Sequence, residues 1–260
     1  MMKKAVLVVS YGTSHKETRE KTIEACEKKI HKSFKDYDFY RAYTSDKIIS
    51  KIKEREGVEI HNPTKALSQI LEKGYDEVLV QSLHIICGDE FNQLKEEVEA
   101  YQHKFKKILL GRPLLSVGHD YEEVAKALED ELFAMNKDEA VVFMGHGMSH
   151  KCNQEYLGVE SALRSHGINA YVGTIEGTPR LEEVIPRLKA GQVKTVNLMP
   201  MMLVVGYHAK KEMIGNSQDS WKNVLESEGF VVNVQLKGLG ENIGIQDKFL
   251  KHAQECLKEV

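Results

Sequence analysis

Ala5-Val6-Leu7-Val8-Val9-Ser10-Tyr11-Gly12-Thr13-Ser14-His15-Lys16 is echoed by Ala140-Val141-Val142-Phe143-Met144-Gly145-His146-Gly147-Met148-Ser149-His150-Lys151. The offset is 135 at both ends of the match, since 147 − 12 and 151 − 16 agree. Each copy opens on a short apolar run rich in valine, the pattern of a strand covered on both faces. Each then turns at a glycine. In residues 15–33, after the first copy, Thr22, Ile23, Cys26 and Ile30 fall on one helical face. Strand followed by helix is the unit from which parallel sheets are built.

Outward from the first copy the alternation continues. Phe39–Tyr43 reads as a second strand, and Asn62-Pro63-Thr64 opens a helix through Leu71 that stops at Gly74. Glu77–Gln81 is a third strand, 89–103 a helix and Lys107–Leu110 a fourth strand. The second half repeats the order. Leu71-Glu72-Lys73-Gly74 is matched by Leu188-Lys189-Ala190-Gly191, each ahead of a valine-containing strand. Cys87-Gly88-Asp89-Glu90 is matched by Val205-Gly206-Tyr207-His208 at an offset of 118. Ordered matches of this kind predict an α/β fold of two similar lobes, each a parallel sheet flanked by helices, with a cleft between the lobes. The expected divisions are a first lobe over 1–115, a crossover helix region over 116–139, a second lobe with the metal site over 140–240, and a C-terminal helix over 241–260.

Composition narrows the function. The chain has 260 residues, 42% hydrophobic and 29% charged, with a formal net charge of −3. That balance is ordinary for a globular protein and gives no overall attraction to nucleic acid. The apolar run at the N-terminus is too short for an export signal, and no stretch approaches the roughly 20 apolar residues that cross a bilayer. The expectation is a cytoplasmic protein with neither nucleic acid nor membrane as partner; self-association is left open. Cys26, Cys87, Cys152 and Cys256 form no Cys-x-x-Cys pair and read as free thiols. Neither a G-x-G-x-x-G turn nor a P-loop lysine follows any strand, which argues against nucleotides.

In open parallel sheets ligands bind beyond the carboxyl ends of the strands. Three such segments in the second lobe hold candidate ligands: His146 between two glycines, Glu176 in Thr174-Ile175-Glu176-Gly177, and His208 after Gly206-Tyr207. Two imidazoles and one carboxylate suit a borderline divalent ion and leave positions open for a substrate. Singly, each has a plainer role: a solvated histidine, a carboxylate at a helix start, a helix-capping histidine. In the first lobe Tyr11 stands where His146 does (146 − 11 = 135), and Glu90 where His208 does (208 − 90 = 118). Ser10-Tyr11-Gly12-Thr13-Ser14 offers hydroxyls and N–H groups to an anion, although Ser14 reads equally as a helix cap. Met201 and Met202 would line the floor of a broad site or fill the core. His84, inside an apolar run, reads as a buried structural histidine. Lys16, Arg19, Lys210 and Lys211 lie near the strand exits.

Val8-Val9-Ser10-Tyr11-Gly12-Thr13-Ser14, Met144-Gly145-His146-Gly147, Gly173-Thr174-Ile175-Glu176-Gly177 and Pro200-Met201-Met202-Leu203-Val204-Val205-Gly206-Tyr207-His208 resemble the anaerobic cobalt chelatases of cobalamin synthesis, the CbiK type. The resemblance covers nearly the whole chain. It implies the chelatase fold and insertion of Co2+ into sirohydrochlorin or precorrin-2, with release of two protons. It also implies that His146 accepts a proton and binds metal, and that Glu176 and His208 complete the metal site. Glu90 is a second candidate acid–base group. Ser10, Tyr11, Gly12, Thr13, Ser14, Met201 and Met202 are candidate substrate contacts. The expected partners are a tetrapyrrole and a divalent metal, with no cofactor beyond the substrate metal. A chelatase for Fe2+ or Ni2+, or a non-catalytic carrier of tetrapyrrole or metal, is the alternative.

Overall fold

A computed structural model describes residues 2–129, 131–132, 136–206 and 209–258. The chain forms two compact units, one of residues 1–116 with 245–260 and one of residues 117–244. The first contains β1 (Lys4–Ser10), α1 (Lys16–Lys21), α2 (Ile23–Ser33), β2 (Asp38–Tyr43), α3 (Asp46–Glu56), α4 (Pro63–Glu72), β3 (Glu77–Ser82), α5 (Asp89–Glu99) and β4 (Lys107–Gly111). The second contains α6 (Gly118–Glu129), β5 (Glu139–Cys152), α7 (Gln154–Ser165), β6 (Ala170–Thr178), α8 (Leu181–Ala190), β7 (Thr195–Pro200), α9 (Trp221–Ser227) and β8 (Val231–Val234). The last helix, α10 (Ile243–Cys256), falls mostly in the first unit, where Arg112 pairs with Glu255 at 2.7 Å and Lys29 with Asp247 at 2.5 Å.

Both sheets are parallel and have the same order, β2-β1-β3-β4 and β6-β5-β7-β8. The register reproduces the offsets read from the sequence. Ala5 pairs with Val78 and Ala140 with Val196, so β1 maps on β5 at 135 and β3 on β7 at 118. Central strands must be apolar on both sides, because helices cover both faces. In β1 every residue after Lys4 is buried, and in β3 every residue is. Edge strands β2 and β4 are only half-buried. Ala5, Leu7, Val9, Val78 and Val80 face one core with Leu67, Ile70, Leu94 and Val98 from α4 and α5. In the second unit Ala140, Val142, Met144, Val196 and Leu198 do the same against Val184, Leu188 and Trp221.

Three local features depart from the sequence expectations. The helix expected over 15–33 is two helices, parted at Thr22, whose hydroxyl donates to the Thr18 carbonyl at 2.6 Å and bends the chain there. Periodicity marks no element over 44–61, yet α3 forms there, capped by Ser45 at one end and by Gly57 with φ 67° at the other. The third departure bears on the site. The strand expected to stop at Phe143 runs on to Cys152. It pairs with β7 only as far as Met144–Pro200, and beyond that with β6 alone, to Cys152–Thr178 with an irregularity after Gly147. A two-stranded ribbon therefore continues past the end of the second sheet. In the first unit β1 and β2 stop together at Ser10 and Tyr43.

Edge strand β6 is held from the side by a buried charge. Glu160 of α7 is 5% exposed and accepts from the Val172 backbone N–H at 2.7 Å. Arg187 binds it through both terminal nitrogens, and Arg164 lies 3.5 Å from it. Removing the carboxylate leaves the buried Val172 N–H unsatisfied and takes from Arg187 its carboxylate partner, while Arg164 keeps the Ala170 carbonyl. Glu160→Ala is expected to cost about 2–4 kcal/mol in urea unfolding, with α7 and β6 losing amide-exchange protection first. A cost below about 0.5 kcal/mol would mean that solvent already satisfies these groups.

Candidate functional site

The β5–β6 ribbon carries two of the residues singled out in the sequence. Gly145 pairs with Thr174 and Gly147 with Glu176, so His146 and Glu176 stand on adjacent strands one row apart. Neighbouring strands lie about 4.8 Å apart. Both residues are half-buried, which leaves them within reach of a ligand. His146 Nδ1 is 3.3 Å from the Gly147 carbonyl oxygen. An N–H at Nδ1 donating there puts the lone pair on Nε2, the arrangement common to histidines that bind metal.

The glycines around His146 answer to packing. A Cβ on Gly145 would stand 2.8 Å from the ring of Tyr156. Gly147 has φ 80°, and a Cβ there would come within 2.0 Å of the Glu176 carbonyl oxygen. Only glycine allows the two strands to approach so closely at this row. Asn153 and Tyr156, which the sequence analysis did not single out, sit under the ribbon. Asn153 is fully buried and binds backbone on both strands. Tyr156 is 2% exposed; its ring lies against Gly145, with the backbone of His146 and Gly147 beside its phenol oxygen. Burial holds that phenol far above its ordinary pKa, so it stays protonated. An asparagine just ahead of a helical stretch was the one sequence signal available, and alone it reads as a helix cap.

His208, the third expected ligand, lies outside the described residues, as does Tyr207. Among the described residues no group of three His, Cys, Asp or Glu side chains could hold a metal ion. The segment leading to His208 is tied down: Met201 N–H donates to the Met144 carbonyl at 2.8 Å, and the Met202 and Leu203 carbonyls accept from Leu239 and Gly240. A single π-helical turn, Ala209–Met213, follows; such turns are frequent at functional sites. Met201 is fully buried, and Met202 packs against the second unit's core.

The remaining candidates belong to the first unit. Ser10 is buried, with no partner for its hydroxyl among the described residues; Tyr11 is 50% exposed. Gly12 turns with φ 92° over the ring of Tyr43. Thr13 is buried, and its hydroxyl accepts from His15 N–H at 3.3 Å. The cap position of α1 is His15 rather than Ser14, so the reading of Ser14 as the cap does not hold. Glu90 is half-buried in the first turn of α5. Arg19 does not lie open to a ligand: it is 5% exposed and grips both oxygens of Glu56, at 3.0 and 2.6 Å, and Glu24 at 3.3 Å. Among the described residues no helix is long and apolar enough to cross a membrane.

The family model described as "Cobalt chelatase (CbiK)" matches residues 4–258. A relative named sirohydrochlorin cobaltochelatase, from Salmonella typhimurium, is 41% identical over 256 residues, 98% of this chain and 97% of the relative. Sirohydrochlorin cobaltochelatase CbiKC from Nitratidesulfovibrio vulgaris is 35% identical over 259 residues, 97% of this chain and 90% of the relative. Among solved structures, SirB from Bacillus subtilis with Fe3+ superposes with TM-score 0.65 at 15% identity, covering 98% of this chain and 96% of that one. CbiX, the terminal enzyme of siroheme biosynthesis in denitrifying bacteria, gives 0.54 at 15% identity, covering 97% and 99%. These two show a common fold.

His84, two residues past β3, is half-buried as a residue, and the burial of its ring favours the neutral imidazole. Ser82 Oγ accepts from the His84 backbone N–H at 3.1 Å and shares a hydrogen bond with the ring Nδ1 at 2.8 Å. Nε2 is buried with no partner among the described residues. Burial lowers the imidazole to about 4, from 6.5. Between those values the unfolded chain takes up a proton that the folded chain refuses, so stability falls as pH drops from 6.5 to about 4. The loss from this group is up to about 3 kcal/mol. In His84→Gln the acid-side decline, followed by urea unfolding at successive pH values, is expected to shrink by about that amount. A decline parallel to that of the unaltered protein would mean that His84 takes up its proton in the fold as readily as in the unfolded chain.

Proposed function

Because the chain belongs to the cobalt chelatase (CbiK) family, we propose that it inserts Co2+ into sirohydrochlorin on the route to cobalamin, and that the β5–β6 ribbon is where the metal is handled. The observation that carries the site assignment is the placement of His146 and Glu176, both half-buried, on adjacent strands beyond the end of the second sheet, with His146 Nδ1 3.3 Å from the Gly147 carbonyl oxygen. Metal and tetrapyrrole are both substrates. Two pyrrole N–H protons leave as one divalent ion enters, so the metallated macrocycle carries the same net charge as the free one.

His146 takes two roles. Its Nε2 lone pair is a ligand for the incoming ion, and imidazole is also the side chain best matched to accepting a proton near neutral pH. One lone pair cannot hold a metal and a proton at once. Transfer of the ion to the macrocycle frees the nitrogen for a departing pyrrole proton, which couples the two events. Glu176 supplies a carboxylate that offsets charge on the ion without the permanence of thiolate ligation. His208 is assigned as the third ligand on the sequence motif. Glu90 and the Ser10–Ser14 loop are assigned to proton transfer and to the substrate's carboxylates.

The test is absorbance-monitored insertion of Co2+ into sirohydrochlorin. Many turnovers per protein molecule are expected; product capped at one equivalent would favour a carrier. In His146→Ala, with circular dichroism unchanged, the rate is expected to fall about 10²–10⁴-fold. Glu90→Gln is expected to fall less. Near-normal turnover in folded His146→Ala, with a severe loss in Glu90→Gln, would move the base to Glu90.

A further inference from the structure

Asn153 is fully buried just ahead of α7, and its carboxamide binds four groups on the ribbon. Oδ1 accepts from Met148 N–H at 2.9 Å. Nδ2 lies 3.0 Å from Thr174 Oγ1, 3.0 Å from the Glu176 carbonyl oxygen and 3.1 Å from that of Thr178. Two hydrogens against three acceptors require one to be shared. Asn153 N–H donates to the Thr178 carbonyl as well, at 2.9 Å. All these partners lie on the stretch of β5 and β6 that has lost the support of β7. An isolated two-stranded ribbon is marginal by itself, and the ladder here is irregular between Gly147 and Cys152.

The clamp accompanies the ribbon. The first unit has the same sheet but no ribbon, and the residue at the matching offset is Thr18 (153 − 135 = 18), whose carbonyl is taken by Thr22. In the second unit one side chain bonds the segment just after His146 and the backbone of Glu176 itself. Beneath the same turn lies the buried Tyr156, its ring 2.8 Å from where a Cβ on Gly145 would stand and its phenol oxygen beside the backbone of His146 and Gly147.

We propose that Asn153 is the positioning residue of the metal site: its carboxamide sets the separation of the His146 imidazole from the Glu176 carboxylate, and Tyr156 holds the peptide plane from which the imidazole projects. This rests on the reading of His146 and Glu176 as metal ligands. Residues that orient ligands in this way typically contribute 10–100-fold to metal affinity. They do so without touching the tetrapyrrole.

Asn153→Asp keeps the acceptor for Met148 and removes every Nδ2 donation; Tyr156→Phe keeps the ring against Gly145 and removes the phenol oxygen. The measurements are Co2+ affinity by calorimetry without tetrapyrrole, the KM for Co2+ and for sirohydrochlorin separately, and the thermal midpoint. In Asn153→Asp the Co2+ dissociation constant and KM are expected to rise about 10–100-fold while the sirohydrochlorin KM stays within about twofold, with a smaller rise of the same kind in Tyr156→Phe. A residue that only stabilised the fold would lower the midpoint and leave the two KM values moving together, which would overturn the proposal. Wild-type Co2+ affinity in either folded variant would also overturn it. Should Asn153→Asp fail to fold, Tyr156→Phe decides alone. Loss of Co2+ affinity in both variants, with no insertion by the unaltered protein, would sustain the clamp and refute the chelatase reading. Unchanged Co2+ affinity in His146→Ala would refute the ligand assignment and the clamp's role with it.

Discussion

A strand paired on both sides in parallel and covered by helices on both faces has no side chain turned to water. β1 after Lys4, β3, and β5 from Ala140 to Met144 are such strands, while β7 leaves Thr195 and Asn197 half-buried; the rest of each unit follows from this burial. Parallel neighbours cannot be joined by a tight turn, so each connection must cross over through a helix. Those helices bring the apolar faces that close the cores. With the order β2-β1-β3-β4, the connections after the first and third strands leave in opposite directions, and the carboxyl ends of these strands become the place where loops are free to carry chemistry.

The two units share this frame and use its free end differently. In the first, β1 and β2 stop at the same row, and helix α3 begins three residues after Tyr43. In the second, β5 and β6 run on as a ribbon and place His146 and Glu176 beyond the sheet proper. Glycine at 147 is what allows that ribbon to close, since any Cβ there would meet the Glu176 carbonyl. Asn153 then takes up carbonyl groups that a third strand would otherwise satisfy, and the Tyr156 ring packs against Gly145 beneath the turn. The position of His146 and Glu176 is thus a property of backbone pairing as much as of the side chains themselves.

Buried charge is used at the edges in both units. Glu27 of α2 is 3% exposed and binds Arg41 on edge strand β2; Glu160 of α7 binds the Val172 N–H on edge strand β6 together with Arg187. Neither pair is at a strand end where ligands would come. A carboxylate that satisfies an edge strand or its arginine costs desolvation but fixes which helix lies against which strand. Burial raises Glu27 above the usual carboxylate range even with Arg41 beside it, so that pair contributes more to geometry than to stability.

Much was legible in the sequence because the constraints involved are short-range or periodic. Strand and helix alternate visibly, the offsets of 135 and 118 recur in the strand register, and His146 and Glu176 stand out by their glycine neighbours. Pattern could not show that Thr22 divides a helix, because a threonine hydroxyl turning to its own i−4 carbonyl leaves the apolar spacing intact. Nor could it show that α3 exists, since its apolar face is short and mixed with charge. Asn153, Tyr156 and the extension of β5 were decided by tertiary structure alone. A carboxamide that bonds residues 5 positions before it and 21 to 25 positions after it has no local signature, and it acquires its meaning only when two strands are brought side by side. The sequence by itself determined which strands would be buried and which side chains are candidates for binding a metal; the fold decided how His146 and Glu176 are placed on neighbouring strands, because that placement is fixed by pairing between segments remote in the chain.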